Sequence, residues 1–138
     1  MVKISGNRAD HWVSNPDSNH VAVLFFGPNL GLVRDRSKSV LRVLSGDNLD
    51  DPFSVVMIDE ARLKAEPSVI SDEAFAQSFL GGGKVVGISG ANDKFVSPLS
   101  EILTGGLNPN PIVVEAGDLP PRSKLRNLFE KADNAAAI

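Results

Sequence analysis

The apolar residues of this chain recur in short runs, and the segments between the runs have helical periodicity. The runs are rich in β-branched and aromatic residues, and their nearly continuous apolar character is typical of strands covered on both faces. A further run near the end falls where a fifth strand is due. The predicted strands are Val21–Phe26, Phe53–Ile58, Lys84–Ser89 and Pro111–Glu115, with Asn134–Ile138 as the fifth.

Apolar residues at spacings of three and four predict the helices. The first carries Val33, Val40 and Leu44 on one face and ends at Gly46. The others are predicted around residues 9–13, from Pro67 to Gln77 with Ser71 as a possible cap, from Phe95 to Leu103 with Gly105-Gly106 ending it, and from Leu125 to Ala132 after Pro120-Pro121.

The alternation of strands and helices predicts an α/β fold with three layers, a mostly parallel sheet with helices on both faces. The 138 residues fit one domain, 1–138, and the net charge of −3 provides no basic field for nucleic acid. The chain has no cysteine, which suits a reducing compartment, and no apolar stretch reaches the length of a membrane span. We therefore expect a cytoplasmic protein that binds no membrane.

A glycine-rich turn follows the first predicted strand, at Gly27 to Gly31. In a doubly wound sheet such turns hold the ligand, and a phosphate loop would carry the pattern GxxxxGK[ST]. Here the spacing is one residue short, and Leu32-Val33 stand where the lysine and the hydroxyl should be. The turn is predicted to be a degenerate phosphate loop that binds no cofactor.

The acidic residues do not complete a catalytic site either. An ATPase would place paired acids after a later strand, but Glu115 is followed by Ala116. Asp59 suggests the phospho-acceptor of a receiver domain, yet Asn29 and Leu30 stand where the first strand should supply a second acidic pair. A solvated turn is the preferred interpretation of Asp59-Glu60.

The other polar candidates are isolated. His11 and His20 have no serine or carboxylate motif and no metal constellation, so packing or surface roles are expected. The last predicted helix is basic, which indicates a solvated face or contacts to phosphates. Its basic residues are Arg122, Lys124, Arg126 and Lys131.

A large apolar pair, Phe79-Leu80, is followed at once by three glycines, Gly81 to Gly83. The glycines provide a turn of unusual conformational freedom before the next strand. The pair is either part of the core or a protruding group that fills a partner's pocket.

Four stretches, taken together and in order, resemble the N-terminal domain of the delta subunit of bacterial DNA polymerase III, in an alphaproteobacterial form. They are residues 21–36, including Phe26-Gly27-Pro28-Asn29, residues 50–53, residues 78–86, and residues 113–119 with 123–126. This subunit belongs to the clamp loader of a DNA-directed DNA polymerase, a nucleotidyltransferase complex.

The resemblance implies an AAA-like domain that neither binds nor hydrolyses ATP and that is not itself an enzyme. It implies that the subunit binds the sliding clamp and helps to open it during DNA replication. Phe79 and Leu80 match the two adjacent residues that enter the clamp pocket, preceded by Gln77 and Ser78. The order Phe-Leu departs from the usual Leu-Phe of clamp-binding peptides, and Ala76 holds the first position instead of glutamine.

The resemblance also implies partners outside this segment. The delta prime and tau or gamma subunits would bind mainly through a C-terminal part that follows Ile138, and DNA would be contacted indirectly or weakly. A different class remains open, a doubly wound enzyme domain that binds a nucleotide or flavin at the Gly27–Gly31 turn. Stabilisation by ATP, NAD or FMN would distinguish it.

Overall fold

The computed structural model describes residues 21–45, 55–75, 84–105, 110–132 and 134–138, which form a five-stranded, all-parallel sheet with helices on both faces. The strands are β1 (Ala22–Phe25), β2 (Val55–Ile58), β3 (Val85–Ala91), β4 (Ile112–Ala116) and β5 (Ala135–Ala137). Their order in the sheet is β2-β3-β4-β1-β5. The predicted α/β class with a parallel sheet is confirmed, including the fifth strand. The predicted helix around residues 9–13 and the helix end at Gly46 lie outside the described residues.

Five α-helices are described: α1 (Leu30–Leu44), α2 (Glu60–Ala65), α3 (Val69–Ala74), α4 (Val96–Thr104) and α5 (Lys124–Lys131). A 3₁₀ turn, Asp93–Phe95, leads into α4, and Pro98 lies in the first turn of that helix, where its missing N–H breaks no hydrogen bond.

The side chains of each strand alternate between two apolar layers. Val23 and Phe25 face α1, where they pack with Val33, Val40 and Leu41. On the opposite face a larger layer joins β1, β3 and β4 to α3, α4 and α5. Its fully buried side chains include Leu24, Ile88, Phe95, Leu99 and Phe129. The core therefore lies on both sides of the sheet, as the continuous apolar strands predicted.

The helix predicted from Pro67 to Gln77 has wrong bounds, because the helix found in this range, α3, covers only Val69–Ala74. A second short helix, α2, precedes it and was not predicted. Ser68, not Ser71, precedes α3, and Ser71 lies inside it with its hydroxyl donating to the Ser68 carbonyl at 3.2 Å. A separate helix forms before Pro67 because Asp59 caps it, accepting from the Arg62 amide at 2.9 Å.

The order of the strands defines the place where ligands bind in open α/β sheets. The strands β1 and β4 are neighbours, with Leu24 opposite Val114. The helix that follows β1 packs on one face, whereas α5, which follows β4, packs on the other. The crevice between the carboxyl ends of β1 and β4 is therefore the switch point of the fold.

Candidate functional site

The turn after β1 lies at this switch point and is closed by backbone hydrogen bonds. The Gly27 amide donates to the Gly117 carbonyl at 3.1 Å, which ties the turn to the end of β4. Gly27 has a φ of 151°, a conformation that other residues adopt only with strain. The backbone conformation therefore requires glycine at this position, and no bound ligand is needed to explain it.

The first turn of α1 has its own side-chain cap. The Asn29 side chain accepts a hydrogen bond from the Leu32 amide at 3.1 Å. Leu30 and Leu32 are 60% and 44% exposed, and Val33 is buried against the sheet. The positions where a phosphate loop needs a lysine and a hydroxyl therefore present apolar side chains.

The second glycine of the candidate loop is not in a loop. Gly31 is the second residue of α1, and a Cβ placed on it would meet only Asn29 Oδ1, at 3.5 Å. Of the pair Gly27 and Gly31, only the first is demanded by the local backbone.

The acid at the end of β4 takes part in an ion pair. Glu115 Oε1 lies 3.6 Å from Arg34 Nε on α1, with side-chain exposures of 18% and 65%. Ala116 follows and is buried. This ion pair joins β4 to α1, and the residue that follows Glu115 in the chain is not a carboxylate.

The acidic residues after β2 hold neighbouring turns together. Asp59 is the N-cap of α2, whereas Glu60 accepts from Lys94 Nζ and from Asn92 Nδ2 in the turn after β3. The hydrogen bond from Lys94 holds the pKa of Glu60 below its ordinary value. Asp59-Glu60 was interpreted as a solvated turn, but the pair forms the capped start of a helix, and Glu60 is held by Lys94 and Asn92.

Asp93, which was not predicted as a site residue, joins the turn after β3 to α5. Its Oδ1 accepts from the Leu125 amide and the Ser123 hydroxyl, each at 3.1 Å. The Leu125 hydrogen bond, assisted by that of Ser123, holds the pKa of Asp93 below its ordinary value. The available signal was an Asn-Asp pair directly after a buried strand, but its partner lies 32 positions later in the chain.

The basic residues of the last helix do not form one row. Arg126 Nε donates to Glu130 at 2.8 Å, its Nη1 donates to the Leu119 carbonyl at 3.0 Å, and its guanidinium lies 4.9 Å from the centre of the Phe26 ring. Arg122, Lys124 and Lys131 remain exposed. Arg126 therefore fixes the loop before α5, and the exposure of the other three fits either a solvated face or contacts to phosphates.

The predicted partner-binding residues Gln77, Ser78, Phe79 and Leu80 lie outside the described residues. The described chain on either side of them is anchored at the amino edge of the sheet, the edge at which β3 and β4 begin. Lys84 Nζ lies 2.6 Å from Glu73 Oε2, and Asn110 Nδ2 donates to the Glu73 carbonyl at 3.0 Å.

These contacts hold the end of α3 beside the starts of β3 and β4. Phe75, directly after α3, is 43% exposed. The chain thus enters and leaves residues 76–83 at the edge of the sheet opposite to the Gly27 turn.

No protein-family model matches the chain, and no curated protein does.

His11 and His20 also lie outside the described residues. Within the described ranges, no three His, Cys, Asp or Glu side chains come together in a way that could hold a metal ion. In that same part of the chain, every helix is too short or too polar to cross a membrane.

Proposed function

We propose that this chain is a non-catalytic domain of a clamp-loader subunit, similar to the delta subunit of bacterial DNA polymerase III, that binds the sliding clamp and favours its opening. One observation carries the non-catalytic part. The turn at the switch point is closed by its own backbone and by the Asn29 cap, and the exposed Leu32 and the buried Val33 stand where a phosphate loop has its lysine and its hydroxyl.

The AAA-like arrangement is part of this proposal. It is supported by the route of the chain, in which β1 passes through a glycine turn into α1 beside the carboxyl end of β4. An ATPase would carry its acids there, and Glu115 is the one that this chain retains at the end of β4, paired with Arg34.

The clamp-binding part rests on the resemblance, and the anchoring of the amino edge supports it. Phe79 and Leu80 follow a helix whose end is held by Lys84 and Asn110 through Glu73. Anchoring both ends of a segment reduces the conformational freedom that is lost when the segment binds. Burial of two large apolar side chains would contribute about 3–6 kcal/mol before the costs of association.

The mechanism in this proposal is a shift of population. A clamp has closed and open states, and a ligand that binds the open state better raises its population by the difference in affinity. No bond is made or broken by this chain. ATP hydrolysis by other subunits would control access to the binding segment, and the delta prime and tau or gamma subunits would bind through a part that follows Ile138.

Calorimetric titration of the chain with the sliding clamp from the same organism tests this proposal. We expect saturable binding that is lost in the Phe79→Ala/Leu80→Ala double variant. The matched control is Leu30→Ala/Leu32→Ala, which also removes two leucine-sized apolar groups but at the opposite edge of the sheet, and should bind normally. A folded wild-type chain that does not bind, or equal losses in both variants, would contradict the proposal.

A further inference from the structure

An exposed aromatic side chain lies at the amino edge of the sheet, directly after α3. Phe75 is 43% exposed. Within the described ranges it is the only aromatic residue on the surface, because Phe25, Phe95 and Phe129 are buried and Phe26 is partly buried. Single exposed apolar residues are common on soluble proteins, so exposure alone does not mark a binding site. The backbone of Phe75 and its position in the chain add to this observation.

The backbone that carries Phe75 is held by hydrogen bonds on both sides of the residue's own peptide. The Phe75 amide donates to the Ser71 carbonyl at 3.1 Å at the end of α3. The carbonyl of the preceding Ala74 accepts from the Asn110 amide at 2.6 Å, just before β4. A phenyl side chain has only two rotatable bonds, so little conformational freedom is lost when a partner covers it. Phe75 therefore offers apolar area at a low entropic cost.

The position of Phe75 in the chain brings it within the area that a partner of Phe79 and Leu80 would cover. Phe79 is four positions after Phe75, so their Cα atoms are at most about 14 Å apart in any conformation of the residues between them. A standard protein interface covers about 800 Å² on each partner, which corresponds to a patch of roughly 16 Å radius. A protein that binds Phe79 and Leu80 is therefore large enough to cover Phe75 as well.

The carboxylates of α3 already have partners within the chain. Asp72 accepts from the Ser68 hydroxyl at 2.9 Å, and Glu73 Oε2 lies 2.6 Å from Lys84 Nζ. Neither carboxylate needs a cation from another protein. The group that the end of α3 offers to a partner is therefore the phenyl ring of Phe75, and the complementary surface is apolar.

We propose that Phe75 is a third apolar contact of the surface that binds the sliding clamp, beside Phe79 and Leu80. This inference rests on the proposed function and extends the interface to a described residue at the end of α3. The clamp would present an apolar patch that accepts a phenyl ring next to the pocket for the adjacent pair. Aromatic residues are enriched in the cores of interfaces, and a few residues carry most of the binding energy. Phe75 is one of the residues that set the affinity.

Calorimetric titration of Phe75→Ala with the sliding clamp tests this inference. We expect the variant to bind at least about tenfold more weakly than the wild type, because it loses a central aromatic contact. Phe75→Leu keeps an apolar side chain and should have an intermediate affinity. The matched control is Leu32→Ala, which truncates a side chain that is 44% exposed at the opposite edge of the sheet and should bind like the wild type. Circular dichroism shows whether each variant is folded.

Fluorine NMR of 4-fluorophenylalanine incorporated at position 75 gives a second readout on a side chain of nearly native shape. Its resonance should shift when the clamp is added, and the shift should be absent in the Phe79→Ala/Leu80→Ala variant. Phe75→Ala that binds as tightly as the wild type, or a fluorine resonance unchanged at saturating clamp, would overturn this inference and leave the proposed function standing. A folded wild-type chain that does not bind the clamp would overturn both.

Discussion

At the scale of single residues, the two glycines of the candidate loop have different reasons to be glycine. Gly27 has a φ of 151°, whereas Gly31 lies in the first turn of a regular helix with space for a methyl group. A sequence pattern cannot distinguish the two, because it contains no information on backbone angles. The interpretation of residues 27–31 as a degenerate phosphate loop therefore treated the two glycines alike. Only Gly27 is required by its backbone angle, whereas Gly31 occupies an ordinary helical position.

This difference predicts opposite effects of alanine at the two positions. Gly27→Ala should lower the free energy of unfolding by about 1–3 kcal/mol, because the new Cβ makes the positive φ strained. Gly31→Ala should leave it unchanged or raise it by up to about 1 kcal/mol, since alanine is the better helix former. Urea unfolding followed by circular dichroism measures both. Equal destabilisation would show that Gly31 has a role beyond its place in α1.

At the scale of elements, the strands and the larger helices could be predicted from periodicity, and the turns could not. Val21–Phe26 and Pro111–Glu115 lie within one residue of β1 and β4 at each end, because an apolar run covered on both faces is a local signal. The α2 helix was missed because none of its six residues is fully buried and its start is set by the Asp59 cap. The bond from Asp93 to the start of α5 was missed because it joins residues distant in the chain.

The Asp93 contact predicts a dependence of stability on pH. The pKa of Asp93 is lower in the folded protein than its ordinary value of 3.8, so its stabilisation is complete above that value and is lost as the pH falls through the folded pKa. Asp93→Asn should therefore be less stable than the wild type at neutral pH, and the difference should shrink in acid below pH 3.8.

Melting temperatures measured from neutral pH into this acid range check the prediction. The control is Asp118→Asn, which changes an exposed carboxylate in the loop after β4. The melting temperature of this variant should differ little from that of the wild type across the series. A constant difference between Asp93→Asn and the wild type across that range would contradict the role of the charged carboxylate.

At the scale of the whole molecule, the sheet separates two edges with different properties. The carboxyl edge contains the Gly27 turn and the Glu115–Arg34 pair, and it is closed by bonds within the chain. The amino edge contains the end of α3, Lys84 and Asn110, which hold the ends of the predicted clamp-binding segment. The parallel α/β class could be predicted from the sequence pattern. The separation of the two edges could not, because it depends on the order of the strands, which is set by contacts between residues distant in the chain.

The central claim is that the amino edge binds the clamp and that the carboxyl edge binds nothing in that step. Amide hydrogen exchange of the chain, with and without saturating sliding clamp, tests it most directly. We predict slower exchange on binding in residues 69–75 of α3 and its end and in residues 84–86 at the start of β3. Exchange in residues 27–34, at the turn and the start of α1, should be unchanged. Protection confined to residues 27–34, with the amino edge unaffected, would contradict the account.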